Sequence, residues 1–118
     1  MRKLFLFTIL FLSNIIIAQI PKISIEKIRN YVGETVTVCE TVKSTFKTLQ
    51  HKHSLINLGD SYPDEKLTVL IKQKHLKNFS YVPVDYLNGK TICVTGTVYV
   101  YRGKPQIKVK KEVSIVVL

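Results

Sequence analysis

"HKH" at His51–His53 is the first place in this chain where residue types and spacing suggest chemistry. Histidines two apart on a strand face the same way, so His51 and His53 could share a metal, with Asp60 or Asp64 as a third ligand. The spacing matches no strong motif, and the neighbouring Lys47 and Lys52 repel cations, which favours a solvated loop. A metal-assisted phosphodiesterase would cluster carboxylates for the ion and bring arginines to the phosphate. Here the carboxylates are scattered, and Arg29 and Arg102 lie far apart. No Ser/His/Asp or Cys/His pattern rises above chance. The inventory points to no enzyme, no metal site and no cofactor.

What remains is binding. Aromatic and cationic residues gather in two stretches: Phe46, Lys47, His51, Lys52 and His53 in one, Tyr101, Arg102 and Lys104 in the other. Tyr99, Lys108 and Lys110 occupy alternate, outward positions on the adjoining strands. Aromatic rings stack on bases and cations hold phosphates, so the set Phe46, Lys47, Lys52, Tyr99, Tyr101, Arg102, Lys104 and Lys108 reads as a nucleic-acid-binding surface. Taken singly, each has a plainer role. Tyrosine is an ordinary outward strand residue, and lysines protect exposed edges from aggregation.

Charge and compartment bear on the partner. The formal net charge is +10, which favours polyanions such as nucleic acid, anionic lipid or acidic polysaccharide. An evenly spread solubility charge is the alternative. Residues 1–18 carry Arg2 and Lys3, an apolar run from Leu4 to Ile17, and the small Ala18. That is a secretory signal pattern, with cleavage expected after Ala18. The run is short for a bilayer span and is interrupted by Ser13 and Asn14, so no membrane anchor is expected after cleavage. The expected location is periplasmic or extracellular. There Cys39 and Cys93 are a plausible disulfide pair, against the alternative of two free thiols covered by an N-terminal helix.

The elements that must position these residues fall within one domain, 19–118. Ile25, Ile28 and Val32 have helical spacing, with Ser24 able to cap and Gly33 able to stop the turn. "TVTVCETV" alternates as a first strand, and "KSTFKTLQHKH" reads as a loop with frayed strand ends. "SLINLG" and "LTVLI" are the second and third strands. A segment with helical spacing at Leu76 and Phe79 follows, ended by Pro83. "GKTICVTGTVYVYR" is the fourth strand, "GK" at 103–104 the turn, and "PQIKVKKEVSIVVL" a fifth strand with a bulge near Lys111. Five strands with a helical segment between the third and fourth are the order of an all-β OB-fold, a five-stranded Greek-key barrel. The expected core is Val36, Val38, Ile56, Leu58, Val69, Ile71, Ile92, Val94, Val98, Ile107 and Val109. "GETVTVCETV" is echoed by "GKTICVTGTV", as expected if the first and fourth strands are neighbours in similar environments. Both cysteines then point out of the barrel.

"YVGETVTVCETV", "LINLGDSYPDEKLTVLI" and "LNGKTICVTGTVYVYRGKPQIKV" resemble, in order, the OB-fold domain of secreted, sugar-nonspecific bacterial nucleases and their small exported single-domain relatives. "NLG", "YP" and the two "GK" pieces carry most of the likeness. Glu40 departs from it, standing where that family has Gly, which bears on the local bend of the barrel. The resemblance implies an accessory, non-catalytic nucleic-acid-binding domain, with cutting done by domains absent here. A module binding an envelope protein or a glycan is the rival reading, because fold alone does not decide function.

Overall fold

The computed structural model describes residues 19–118. The expected signal peptide, 1–18, lies outside the described residues. Seven strands follow in order: β1 (Lys22–Ile23), β2 (Thr35–Lys47), β3 (Ser54–Leu58), β4 (Leu67–Ile71), β5 (Thr91–Tyr101), β6 (Lys104–Lys108) and β7 (Ile115–Val117). Five of them form a partly closed ring, β2–β3–β4–β6–β5 and back to β2, antiparallel except for the β4–β6 pair. Every expected core residue is buried on the inside of this ring. Alternation works because each strand has one apolar face, and period two turns that face inward.

Helical turns pack against the core of the ring. Ile25–Tyr31 is a 3-10 helix capped by Ser24, whose side chain accepts from the Glu26 N–H. Residues three apart eclipse in a 3-10 helix. Tyr31 therefore follows Ile25 and Ile28 onto the core, and Val32, expected there on α-helical spacing, is exposed. Between β4 and β5 lie a 3-10 segment, Gln73–Asn78, and one short α-helix, α1 (Pro83–Tyr86). Pro83 begins α1 instead of stopping a helix; a first-turn proline lacks only an N–H that would have no intrahelical partner.

The strands differ from the expected five in three ways. β2 runs on to Lys47, through a register shift between Val42 and Ser44. That bulge bends the strand from β5 toward β3, and β2 passes unbroken through Glu40, paired with Ile92. The last expected strand is really β6 and β7, separated by a 3-10 turn at Glu112–Ser114. β6 pairs with the end of β5, and β7 with its beginning. β1 adds a short parallel edge to β2.

The β2–β5 seam explains the sequence echo. Thr35, Thr37, Cys39 and Thr41 stand opposite Thr97, Thr95, Cys93 and Thr91 on the outer face. All three threonine pairs are hydrogen bonded, at 2.9, 2.7 and 3.0 Å. Cys39 and Cys93 form a disulfide. On the inner face Gly96 lies where a Cβ would come within 2.4 Å of Ile107 Cγ2, so only glycine fits beneath that isoleucine. The disulfide closes a sequence separation of 54 residues, which by chain entropy stabilises the fold by about 4 kcal/mol. Replacing both cysteines with Ala should lower the urea midpoint by a corresponding amount. An unchanged midpoint would show that the seam holds without the bond.

Candidate nucleic-acid interface

The outer face of β3, β4 and β6 is built in transverse rows, because paired residues on neighbouring strands point the same way. One row runs Phe46, Leu55, Leu70, Lys108 through consecutive pairings. The next runs Ser44, Asn57, Thr68, Gln106, Tyr99. This second row is knitted together. Asn57 Nδ2 donates to Ser44 Oγ at 3.1 Å, and Thr68 Oγ1 donates to Asn57 Oδ1 at 2.9 Å. Tyr99 Oη donates to Gln106 Oε1 at 2.6 Å. Such bonds fix the rotamers on which a ligand would rest.

Leu55 divides the face into two pockets. The first, about 380 Å³, is lined by Thr48, His51, His53, Leu55, Leu70, Lys72, Tyr99, Tyr101, Gln106 and Lys108. The second, about 330 Å³, is neutral and lies among Ser44, Thr45, Phe46, Leu55, Asn57 and Tyr62. Among the described residues no carboxylate lines either pocket. Lys108 Nζ sits 5.0 Å from the centre of the Tyr99 ring, and Arg102 Cζ 5.3 Å from that of Tyr101. Burial first, and then Tyr101, push the Tyr99 phenol above its ordinary value. The ring is therefore a neutral stacking surface at physiological pH.

The expected residues do not all meet here. Tyr99, Tyr101 and Lys108 line the first pocket, and Phe46 the second. Phe46 belongs to β2, not to a loop. Lys47 is one residue on, hence on the opposite side, and lines a separate cavity with Ser54 and Tyr81. Lys52 is exposed in the turn after β2, with a left-handed φ of 57°. Arg102 and Gly103, with φ of 51° and 81°, make the hairpin turn, so Lys104 begins β6. Two positive φ values in a two-residue loop are the geometry that matches strand twist. Lys104 is committed elsewhere, 3.1 Å from the Glu65 carboxylate and bonded to the Pro63 carbonyl. A lysine already neutralised has little left to offer a phosphate. Arg29 likewise donates to the Gly103 carbonyl at 3.0 Å.

Leu55, Leu70, Lys72, Gln106 and Tyr62 complete the face and were not singled out in the sequence. A signal existed for the two leucines, the outward apolar positions of "SLINL" and "LTVLI". His51 and His53 stack with ring centres 5.4 Å apart. Among the described residues no three His, Cys, Asp or Glu side chains gather into a metal-holding group. His53 Nδ1 accepts the Gln73 N–H at 3.1 Å, which requires that nitrogen to be unprotonated.

Ring closure, strand order and groove define an OB-fold domain. The chain is similar to the yeast Stn1 and Ten1 structure, with a TM-score of 0.57 and 13% identity over 85% of this chain and 63% of that one. It is similar to asparaginyl-tRNA synthetase from Pyrococcus horikoshii, with a TM-score of 0.56 and 13% identity over 82% of this chain and 23% of that one. It is also similar to the OBody AM1L10 bound to hen egg-white lysozyme, with a TM-score of 0.52 and 18% identity over 75% of this chain and 83% of that one. The chain thus spans about a quarter of the synthetase and under two thirds of the yeast chain. At these identities the likeness is one of fold. No family model and no curated protein matches the chain.

The histidines give a pH prediction. Burial first, then His51 and Lys72, hold His53 below the ordinary imidazole value of 6.5. Burial, then Lys74, Lys110, Lys72 and Lys77, do the same to His75. The unfolded chain therefore takes up these protons first. Stability present above pH 6.5 is lost as the pH falls from there through the lowered native values. The melting temperature should drop as the pH falls below the ordinary imidazole value of 6.5, and H53Q/H75Q should flatten that drop. An equal drop in both proteins would assign it to other groups.

Proposed function

We propose that this domain binds single-stranded nucleic acid across the β3–β4–β6 face, as an exported module without catalysis of its own. The observation that carries the reading is the first pocket. Tyr99 and Tyr101 stand beside Lys108, Lys72, His51 and His53, with no carboxylate among the lining residues. Such a groove offers rings to bases and cations to the backbone, without hydrogen-bond readout of sequence. OB-fold barrels use this face, flanked by the turn after the first ring strand and the turn between the last two.

Further support is indirect. The likeness to the OB-fold domain of secreted nucleases implies an accessory role in holding nucleic acid. The Cys39–Cys93 bond suits an oxidising compartment, in keeping with the signal pattern of residues 1–18. The non-catalytic reading rests on scattered carboxylates and on the commitment of Arg29 to Gly103. The second reading, an envelope protein- or glycan-binding module, is favoured by a different observation. Phe46, Tyr62, Leu55 and Leu70 give the face apolar area suited to a protein partner, and the similar OBody is one bound to lysozyme.

Fluorescence anisotropy with labelled oligothymidylate separates these readings. Binding should be weak, with log K falling against log salt at a slope of about −0.7 for each phosphate neutralised. K72A and K108A should each reduce that slope by about one contact. Y99A and Y101A should weaken binding by about 1–3 kcal/mol each and leave the slope nearly unchanged. No binding at low salt would favour the protein or glycan reading.

A further inference from the structure

We infer that the bound strand leaves the groove past Lys72 and continues over the 3-10 segment Gln73–Asn78, its phosphates held by Lys74, Lys77 and Lys110. The inference rests on the nucleic-acid reading above and adds a path and a direction to it.

Three contacts make the segment an extension of the groove. Lys72 lines the first pocket and is also the N-cap residue of the segment. The Gln73 N–H donates to His53 Nδ1 at 3.1 Å, tying the segment to the turn that carries the stacked histidines. At the other end Asn78 Nδ2 donates to the Lys110 carbonyl at 2.8 Å, fixing it against the chain leaving β6. The segment is thus held at both ends by the elements that border the groove.

Its side chains are sorted by the 3-10 period. Positions three apart eclipse, so Lys72, His75 and Asn78 share one edge and Lys74 and Lys77 the next. Lys110 approaches from the β6 side. His75 is partly buried, and its protonation is opposed first by that burial and then by the charges of Lys74, Lys110, Lys72 and Lys77. These lysines make no ion pair among the described residues, where the two pairs are Lys66–Glu26 and Lys104–Glu65. The adjacent acid, Glu112, is occupied: its carboxylate accepts from Ser80 N at 2.7 Å and Ser80 Oγ at 3.1 Å. Lys72, Lys74 and Lys77 lie on one short segment, with Lys110 tied to its end; like charges so placed repel one another, and a polyanion relieves that repulsion while releasing its own condensed counterions. Neutral partners and most protein surfaces would not.

The opposite end of the groove has a different character. The β5–β6 turn offers the tyrosines and, of its basic residues, Arg102 alone, since Lys104 is paired with Glu65. The face therefore has a stacking end at Tyr99 and Tyr101 and a charged end at residues 72–78. A short oligomer fills the pocket of Tyr99 and Tyr101, and only a longer one reaches Lys74, Lys77 and Lys110.

The test compares oligothymidylates of about six and about twelve nucleotides, both within the usual site size of one OB fold. The proteins are the wild type, K74A/K77A/K110A, and a charge-matched control, K22A/K27A/K43A, whose exposed lysines lie on other elements. For the longer oligomer the first variant should lose about two units of salt slope, for three contacts, and at least about tenfold in low-salt affinity. For the shorter one it should match the control within about twofold. Equal losses at both lengths, or a longer-oligomer loss no greater than the control's, would overturn the path while leaving the groove reading intact. If the wild type binds neither oligomer, the path falls together with the reading beneath it.

Discussion

The antiparallel pairing of β2 with β5 is the constraint on which the rest of the domain depends. It closes the ring and leaves each strand two very different faces. Inside, Val36 and Val38 face Gly96 and Val94 across the pair, and Gly96 keeps its α-carbon bare so that Ile107 can fit. Outside, like residues face like: three threonine pairs and one disulfide. Threonine suits this position twice, since its β-branch fits an extended strand and its hydroxyl bonds across to its partner. The seam holds on its outer side through hydrogen bonds and a covalent link, and needs no apolar cover there.

Because closure fixes β2 and β5, the remaining strands have little freedom. β2 must turn away from β5 to reach β3, and it does so at the bulge beside Lys43. A bulge adds one residue and so reverses which side chains face out. That reversal sends Phe46 to the groove and Lys47 to the opposite side. At the other end β6 completes the ring between β4 and β5, and its outward residues Gln106 and Lys108 become one wall of the groove. The same strand contributes a bound lysine at one end and, at the other, one with no ion pair among the described residues. That asymmetry aims the positive charge toward Lys72 and the histidines.

The barrel was legible in the sequence because its signal is local and repeated. Alternation in "TVTV", "LTVLI" and "TICV" assigns an inner face to each strand without knowledge of its neighbours, and every expected core position is inside. The doubled strand signalled the neighbouring cysteines for the same reason. The site was legible only in part, because it depends on register and pairing. Nothing in "GKPQ" reveals that Lys104 will meet Glu65, and nothing in "TVKSTFKT" marks the bulge between Val42 and Ser44 that turns Phe46, and not Lys47, toward the groove. Val32 failed for a local reason, a 3-10 turn in place of an α-helix, which puts Tyr31 on the core. Lys72 was overlooked because it follows a strand whose exit direction only the closed ring determines.

The proposed contact surface is the rows of β3, β4 and β6, and the threonine seam is structural. Amide chemical-shift mapping of the isotope-labelled domain during titration with oligothymidylate tests this most directly. The predicted result is a set of shifts centred on Leu55, Leu70, Tyr99, Gln106 and Lys108, with the amides of Thr35–Thr41 and Thr91–Thr97 unmoved. Shifts centred on the β2–β5 seam, or spread evenly over the basic surface, would contradict it.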